Sequence, residues 1–110
     1  MEKENPLVSI ITPCYNGENV MHRLLDSILS QTYSNIEFIL INDGSTDHSE
    51  EIWYQYRKKF NEKGIKTIYI HQRNQGLGAA INAGLKVFTG DYLCWPDIDD
   101  YFEDTSVEKE

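Results

Sequence analysis

With 110 residues and 40% hydrophobic side chains, the chain can bury the core of one domain but not of two. A formal net charge of −8 and a pI near 4.7 exclude nucleic acid or an anionic membrane surface as a natural partner, because phosphates would be repelled. There is no charged-then-apolar leader or membrane-spanning apolar run, and Cys14 and Cys94 lack metal or redox spacing, so the chain reads as cytoplasmic with free thiols.

In chain order, Leu7–Thr12 (LVSIIT) is β-branched and mostly apolar, and Pro13 is expected to end it as a buried strand. Cys14-Tyr15-Asn16-Gly17 follows with Asn-Gly turn chemistry. From Glu18 to near Gln31, Val20, Met21, Leu24, Leu25, Ile28 and Leu29 fall on one face of a helix. Ile36–Ile41 (IEFILI) reads as a second, fully buried strand that breaks at Asn42–Asp47. Asp47 and Glu50 have the spacing of a capping pair, and the helix they open buries Ile52, Trp53, Tyr56 and Phe60 before Lys63-Gly64 stops it. Ile65–Ile70 (IKTIYI) alternates more and is placed nearer a sheet edge. After the turn Asn74-Gln75-Gly76, a third helix carries Leu77, Ala80, Ile81, Leu85 and Phe88 on one side. Its small residues Gly78, Ala79, Ala83 and Gly84 would let it approach the sheet closely, and Thr89-Gly90 closes it.

Gly90–Asp100 (GDYLCWPDIDD) completes the pattern. Tyr92, Leu93, Cys94 and Trp95 read as a buried strand stopped by Pro96, and Asp97, Asp99 and Asp100 follow at its end. Two residues apart in extended chain, Asp97 and Asp99 would point the same way. Like charges that close repel unless a cation lies between them, and an all-oxygen set suits magnesium or manganese. An acidic surface loop explains the same residues; placement after a strand is what favours a site.

The order β-α-β-α-β-α-β with short connections predicts a parallel sheet with helices on its faces, a Rossmann-like three-layer α/β sandwich. Every strand-to-helix loop then lies at one edge of the sheet, where ligands bind in open α/β folds. Pro13–Gly17, Asn42–Asp47, His71–Gly76 and Asp97–Asp100 should therefore converge. Tyr15 either stacks on a planar base or caps the core. Asp43 either accepts hydrogen bonds from a base or stabilises its own turn. Gly76-Leu77-Gly78 followed by Ile81 falls short of a dinucleotide-binding glycine pattern, and the three histidines are isolated and carry no assigned chemistry.

Taken together, VSIITPCYNG, LLDSILSQTYSNIEFILINDGSTD, NQGLGAAINAGL and GDYLCWPDIDD make the chain resemble, from about Pro6 to Asp100, the nucleotide-sugar-binding half of family 2 glycosyltransferases with a GT-A fold. The resemblance implies that Thr12, Pro13 and Tyr15 line a uracil or base pocket and that Asp43 recognises the base. Gly76 falls in the nucleotide-binding set, Asp97 near the ribose or sugar, and Asp99 and Asp100 at the metal and diphosphate. It also implies a divalent cation, a nucleoside diphosphate sugar (UDP-linked by expectation) and transfer with inversion to a carbohydrate or lipid-linked acceptor. Two residues depart from the family's pattern: Asn42 replaces the first acid of an Asp-Asp pair, and Ile81 stands where arginine often precedes Asn82.

Inverting transfer needs a general base, which in the family lies well downstream of the D-x-D. Glu103 and Asp104 are too near it to match, so no catalytic base is assigned in this chain. Residues 1–110 are thus expected to be one donor-binding domain of a longer enzyme, with its core at about 6–100 and an acidic tail at 101–110. A non-catalytic nucleotide-sugar-binding module is the alternative, and an acidic interaction domain that binds no ligand through metal is the third reading. A truncated sheet would leave an exposed edge strand and could uncover Trp53 or Phe60.

Overall fold

The computed structural model describes residues 5–102. The elements run β1 (Val8–Cys14), α1 (Met21–Leu29), β2 (Ile36–Asp43), α2 (Ser49–Lys63), β3 (Lys66–Gln72), α3 (Leu77–Leu85) and β4 (Tyr92–Cys94). All strand pairs are parallel, in the order β3-β2-β1-β4. The expected alternation and parallel sheet are therefore present, with β3 at an edge.

Strand β2 lies between β1 and β3 and every one of its residues is buried. Its alternate side chains enter two cores. Ile36, Phe38 and Leu40 join Met21, Leu24, Leu25 and Ile28 of α1 and Trp53, Tyr56 and Phe60 of α2. Ile39 and Ile41 join Ile11 and Ala80 on the α3 side. These clusters make the three layers.

Trp53 and Phe60, placed on the buried face of α2 but open to being uncovered by a truncated sheet, are fully buried. With Phe38 they form a ring cluster with centroids 5.4 to 5.6 Å apart, so α2 is sealed onto β2. Gly64 ends α2 in the left-handed region (φ 84°), the C-terminal geometry that glycine favours.

Other boundaries move for physical reasons. Pro13 does not end β1: beyond Ile10 only the β2 side of β1 is paired, and a proline is tolerated under that edge condition. Strand β2 continues through Asn42 and Asp43, which pair with His71 and Gln72. The acidic pair at 47 and 50 is not reciprocal. Asp47 accepts the Ser49 N–H, while Glu50 turns to the Tyr69 hydroxyl. Helix α3 reaches the sheet through Gly84, where a Cβ would lie 2.5 Å from Ile11 Cγ2, but its Leu77 and Leu85 are exposed rather than buried.

The expected buried strand at Tyr92–Trp95 is instead a short edge strand, with Tyr92 and Trp95 both at least half exposed. It pairs with β1 only at Val8–Ile10. Its start is held firmly. The Leu7 N–H donates to Asp91 Oδ2, and the Asp91 N–H returns a bond to the Leu7 carbonyl. Just before it, buried Glu37 accepts from Ser9 Oγ, Thr89 N–H and Thr89 Oγ1 at 2.8 Å each and from Lys66 Nζ at 3.0 Å. Burial pushes the Glu37 carboxyl up, and these donors outweigh it and hold the group below the usual range. The expected acidic tail falls mainly at residues 103–110, outside the described residues.

Candidate functional site

Parallel strands bring all four loops to one end of the sheet. They surround a cleft of ≈ 210 Å³ lined by Pro13, Cys14, Tyr15, Asp43, Leu77, Asp97 and Ile98. The ends of β1 and β2, the first loop at Tyr15, the start of α3 at Leu77 and the turn after β4 each contribute. Pro13, Tyr15, Asp43 and Asp97 thus meet in one cavity. Thr12 is wholly buried in β1 beneath them, and Gly76 stands behind the lining, where its N–H binds Asp43.

The first two loops are stitched together by polar side chains. The Asn16 N–H donates to Ser45 Oγ and the Gly17 N–H to Ser49 Oγ, both at 2.9 Å. The Glu18 N–H likewise donates to Asp47 Oδ2 at 3.1 Å, and in return the Thr46 N–H donates to Asn16 Oδ1 at 2.7 Å. Asn16 makes this turn with φ 51°, a left-handed conformation that asparagine tolerates better than most residues. Tyr15 is left 53% exposed at the mouth of the cleft, so its ring is a wall rather than a core plug.

Asp43 joins the second loop to the third. Its Oδ1 accepts from Gln72 Nε2 and the Gln75 N–H, and its Oδ2 from the Gly76 N–H, all at 2.9 Å. Burial works against the charge, but the three donors outweigh it and hold the carboxyl below its ordinary range. Asn74 Nδ2 adds a bond to the Asp43 carbonyl. Gly44 allows this closeness: its φ is 76°, and a Cβ there would stand 2.7 Å from the Asn74 nitrogen.

The acids of the fourth loop do not lie in extended chain. The Asp100 N–H donates to the Asp97 carbonyl (3.0 Å), and the Asp97 N–H donates to Asp100 Oδ2 (2.8 Å), which closes a turn. The turn, not strand alternation, gathers Asp97, Asp99 and Asp100, whose nearest carboxylate oxygens all lie within 4.8 Å of one another. All three are exposed, and among the described residues no ion pair reaches them. An all-oxygen, triply anionic set of this size fits a hard divalent cation that keeps some of its waters. Ile98 seats the turn on the first loop: a Cβ on Gly17 would meet Ile98 Cγ1 at 3.1 Å.

On the other side of the turn lies a wider depression of ≈ 430 Å³, lined by Asn19, Val20, His22, Arg23 and Asp99. The acid turn therefore borders two concavities, with Asp97 in one and Asp99 in the other. Arg23 is engaged there with the Tyr101 ring, 3.8 Å from its centroid.

Sequence reasoning did not find Leu77, Cys14 and Ile98 in the cleft. Leu77 fits the helical apolar stripe, yet it is 62% exposed and lines the opening together with Tyr15. Its place directly after Gly76, at the start of α3, was the available signal. The histidines take polar partners: His48 Nδ1 with Glu18 (2.9 Å), His22 Nδ1 with the Tyr56 hydroxyl (3.1 Å) and His71 Nδ1 near Glu50 (3.6 Å). Cys14 and Cys94 are not joined in a disulfide.

The chain is 46% identical over 101 residues to the glycosyltransferase GlyA of Streptococcus pneumoniae serotype 4, covering 92% of this chain and 14% of that protein. It is 44% identical to an uncharacterized glycosyltransferase of Rickettsia prowazekii, covering 94% of this chain and 30% of the relative. Among solved structures, S. aureus TarS 1-349 in complex with UDP-GlcNAc superposes with a TM-score of 0.85 at 28% identity, covering 94% of this chain and 29% of that one. The fold is thus the GT-A type, and the chain spans less than a third of the length of these relatives. Residues 9–110 match the family model for glycosyl transferase family 2, and the chain belongs to that family.

Proposed function

We propose that this chain is the donor-binding domain of a glycosyltransferase that takes a nucleoside diphosphate sugar, UDP-linked, and delivers the sugar to an acceptor hydroxyl with inversion. The observation that carries this reading is the cleft itself. One rim offers the exposed ring of Tyr15 and the apolar side chain of Leu77, surfaces suited to a planar base, and the other ends in three clustered acids. TarS, which shares this fold, binds UDP and UDP-GlcNAc.

In this reading the base packs against Tyr15 and Leu77. The fixed carboxylate of Asp43 holds the third loop and keeps one lone pair of Oδ2 toward a base N–H. Asp97 meets the ribose or sugar side, and the sugar lies toward the depression beyond Asp99. Asp99 and Asp100 hold a divalent cation, manganese or magnesium, which would supply charge neutralisation for the leaving diphosphate. The need is plain from the charge balance: a diphosphate beside three carboxylates is repelled without it. Thr12 and Gly76 act from behind the lining, Thr12 as the floor and Gly76 as a donor to Asp43. The acceptor, a carbohydrate or a lipid-linked sugar, and the base that deprotonates it belong to the longer enzyme of which these residues form the donor half. Two cysteines that form no disulfide fit work in the cytoplasm.

The test is calorimetric titration of UDP with manganese and with EDTA, on the native chain and on Asp99→Ala/Asp100→Ala. Saturable binding that needs the cation and disappears in the variant is expected. Equal binding in EDTA would remove the cation from the reading, and no binding by a folded native chain would remove the nucleotide.

A further inference from the structure

One hydrogen-bond chain runs toward the first loop of the cleft from the side of the sheet away from α3. Its direction follows from a single backbone group. The Ser45 N–H can only donate, and it donates to Asn42 Oδ1 at 2.9 Å. The other end of that amide, Nδ2, must therefore donate, and it meets the Tyr69 hydroxyl oxygen at 2.8 Å. Tyr69 spends its acceptor there, so its own hydrogen goes to Glu50 Oε2 at 2.7 Å. Asn42 is only 2% exposed, and the Tyr69 ring is fixed against Trp53 (6.2 Å, stacked) and Tyr54 (5.8 Å, edge-on). At the other end, Ser45 Oγ receives the Asn16 N–H, the residue after Tyr15.

We propose that Asn42, Tyr69 and Glu50 form a one-way hydrogen-bond relay that sets the Asn42–Asp47 loop and through it the ring of Tyr15, making Tyr69 and Glu50 positioning residues for the cleft. The proposal rests on the nucleotide reading only for its ligand. Neither residue lines the cavity. The relay works because each donor is matched to one acceptor along the chain. Replacing Asn42 by aspartate would break it, since both oxygens of the new side chain accept. Tyr69 would then have to turn its hydrogen toward position 42 and away from Glu50, with two carboxylates about one hydroxyl. Replacing Glu50 by glutamine as well would let the chain run backwards. The new amide would donate to the Tyr69 oxygen, and Tyr69 would donate to the carboxylate introduced at position 42.

That reversal is the experiment. Asn42→Asp should weaken UDP binding about tenfold, the scale of one buried polar group left unmatched. It should also speed hydrogen exchange at the Ser45 and Asn16 amides of the free protein. Asn42→Asp/Glu50→Gln should restore both, and adding Tyr69→Phe to that pair should abolish the recovery, because the hydroxyl carries the reversed chain. A double variant no better than Asn42→Asp overturns the relay, and so does recovery that persists without the hydroxyl, which would mean simple relief of charge repulsion. Should Asn42→Asp fail to fold, Tyr69→Phe alone decides: faster exchange at Ser45 with weaker binding is expected, and unchanged exchange overturns the relay. A native chain that binds no UDP defeats the nucleotide reading, while the amide exchange still judges the relay.

Discussion

Around Asp43 the carboxylate oxygens are met by donors of the chain itself, whereas at Asp97, Asp99 and Asp100 three acids share a space within 4.8 Å, and no cation among the described residues is paired with them. Asp43 lies at the end of the most buried strand, and the acid turn follows a short, largely uncovered one. Both regions line the same cleft. The first is finished by folding, because each charge is answered within the molecule. The second holds charge that folding leaves unanswered, which is the arrangement expected where a ligand brings its own cation.

Removing Asp43 should break this contrast most visibly. Asp43→Ala strips the acceptor from the Gln75 and Gly76 amides and from Gln72, so urea unfolding should show a loss of about 2 kcal/mol or more. UDP titration should show binding lost with it. Full stability in this variant would mean that the third loop holds itself. The acid turn should behave in the opposite way. Asp99→Ala/Asp100→Ala is expected to leave unfolding free energy within about 0.5 kcal/mol of the native value, since exposed groups away from a core rarely matter more. A loss as large as that of Asp43→Ala would erase the distinction between the two regions.

Acid sharpens the same comparison. Glu37, Asp43 and Asp47 are all held below their ordinary carboxylate range. The stability they contribute is complete above that range and is lost as pH falls through their lowered values. Thermal midpoints should therefore drop steeply below about pH 4, and Glu37→Gln should flatten that limb. The smallest effect has the reverse sign. The hydrogen bond and charge of Glu18 raise the His48 imidazole, so their contribution is present below its ordinary value and fades as pH rises through the raised one. A slight fall in midpoint through neutrality, absent in His48→Ala, would show it.

Most of the frame was readable from periodicity and punctuation. Ile36–Ile41 is apolar at nearly every position because β2 has a helix layer on each face, and Gly64 marks the end of α2. Parallel order then placed four loops together without any knowledge of side-chain contacts. What was not readable depended on partners distant in the chain. Tyr92–Trp95 has the composition of a buried strand, but composition does not encode which strand stands at an edge. Leu77 matches a helical stripe whose first turn overhangs the cleft. The gathering of Asp97, Asp99 and Asp100 comes from a turn, and sequence spacing suggested alternation instead. Asp43 was legible as a site residue by position, yet its role as the tie for the third loop needs Gln72, Gln75 and Gly76, about thirty residues on.

The setting of Glu37 has one more consequence. Two of its four donors come from Thr89, and a third, Ser9 Oγ, accepts the Gly90 N–H in turn, at the end of the sheet opposite the cleft. Strand β4 is thus anchored where it begins, while beyond Cys94 the chain leaves the ladder. Where the peptide enters and what it presents at its far end are separate matters. With Ile98 kept as the contact that seats the turn, the acids at 97, 99 and 100 can accordingly be exchanged for residues of another charge with the sheet left in register. This makes the segment the natural place to graft a different ligand preference onto the same scaffold.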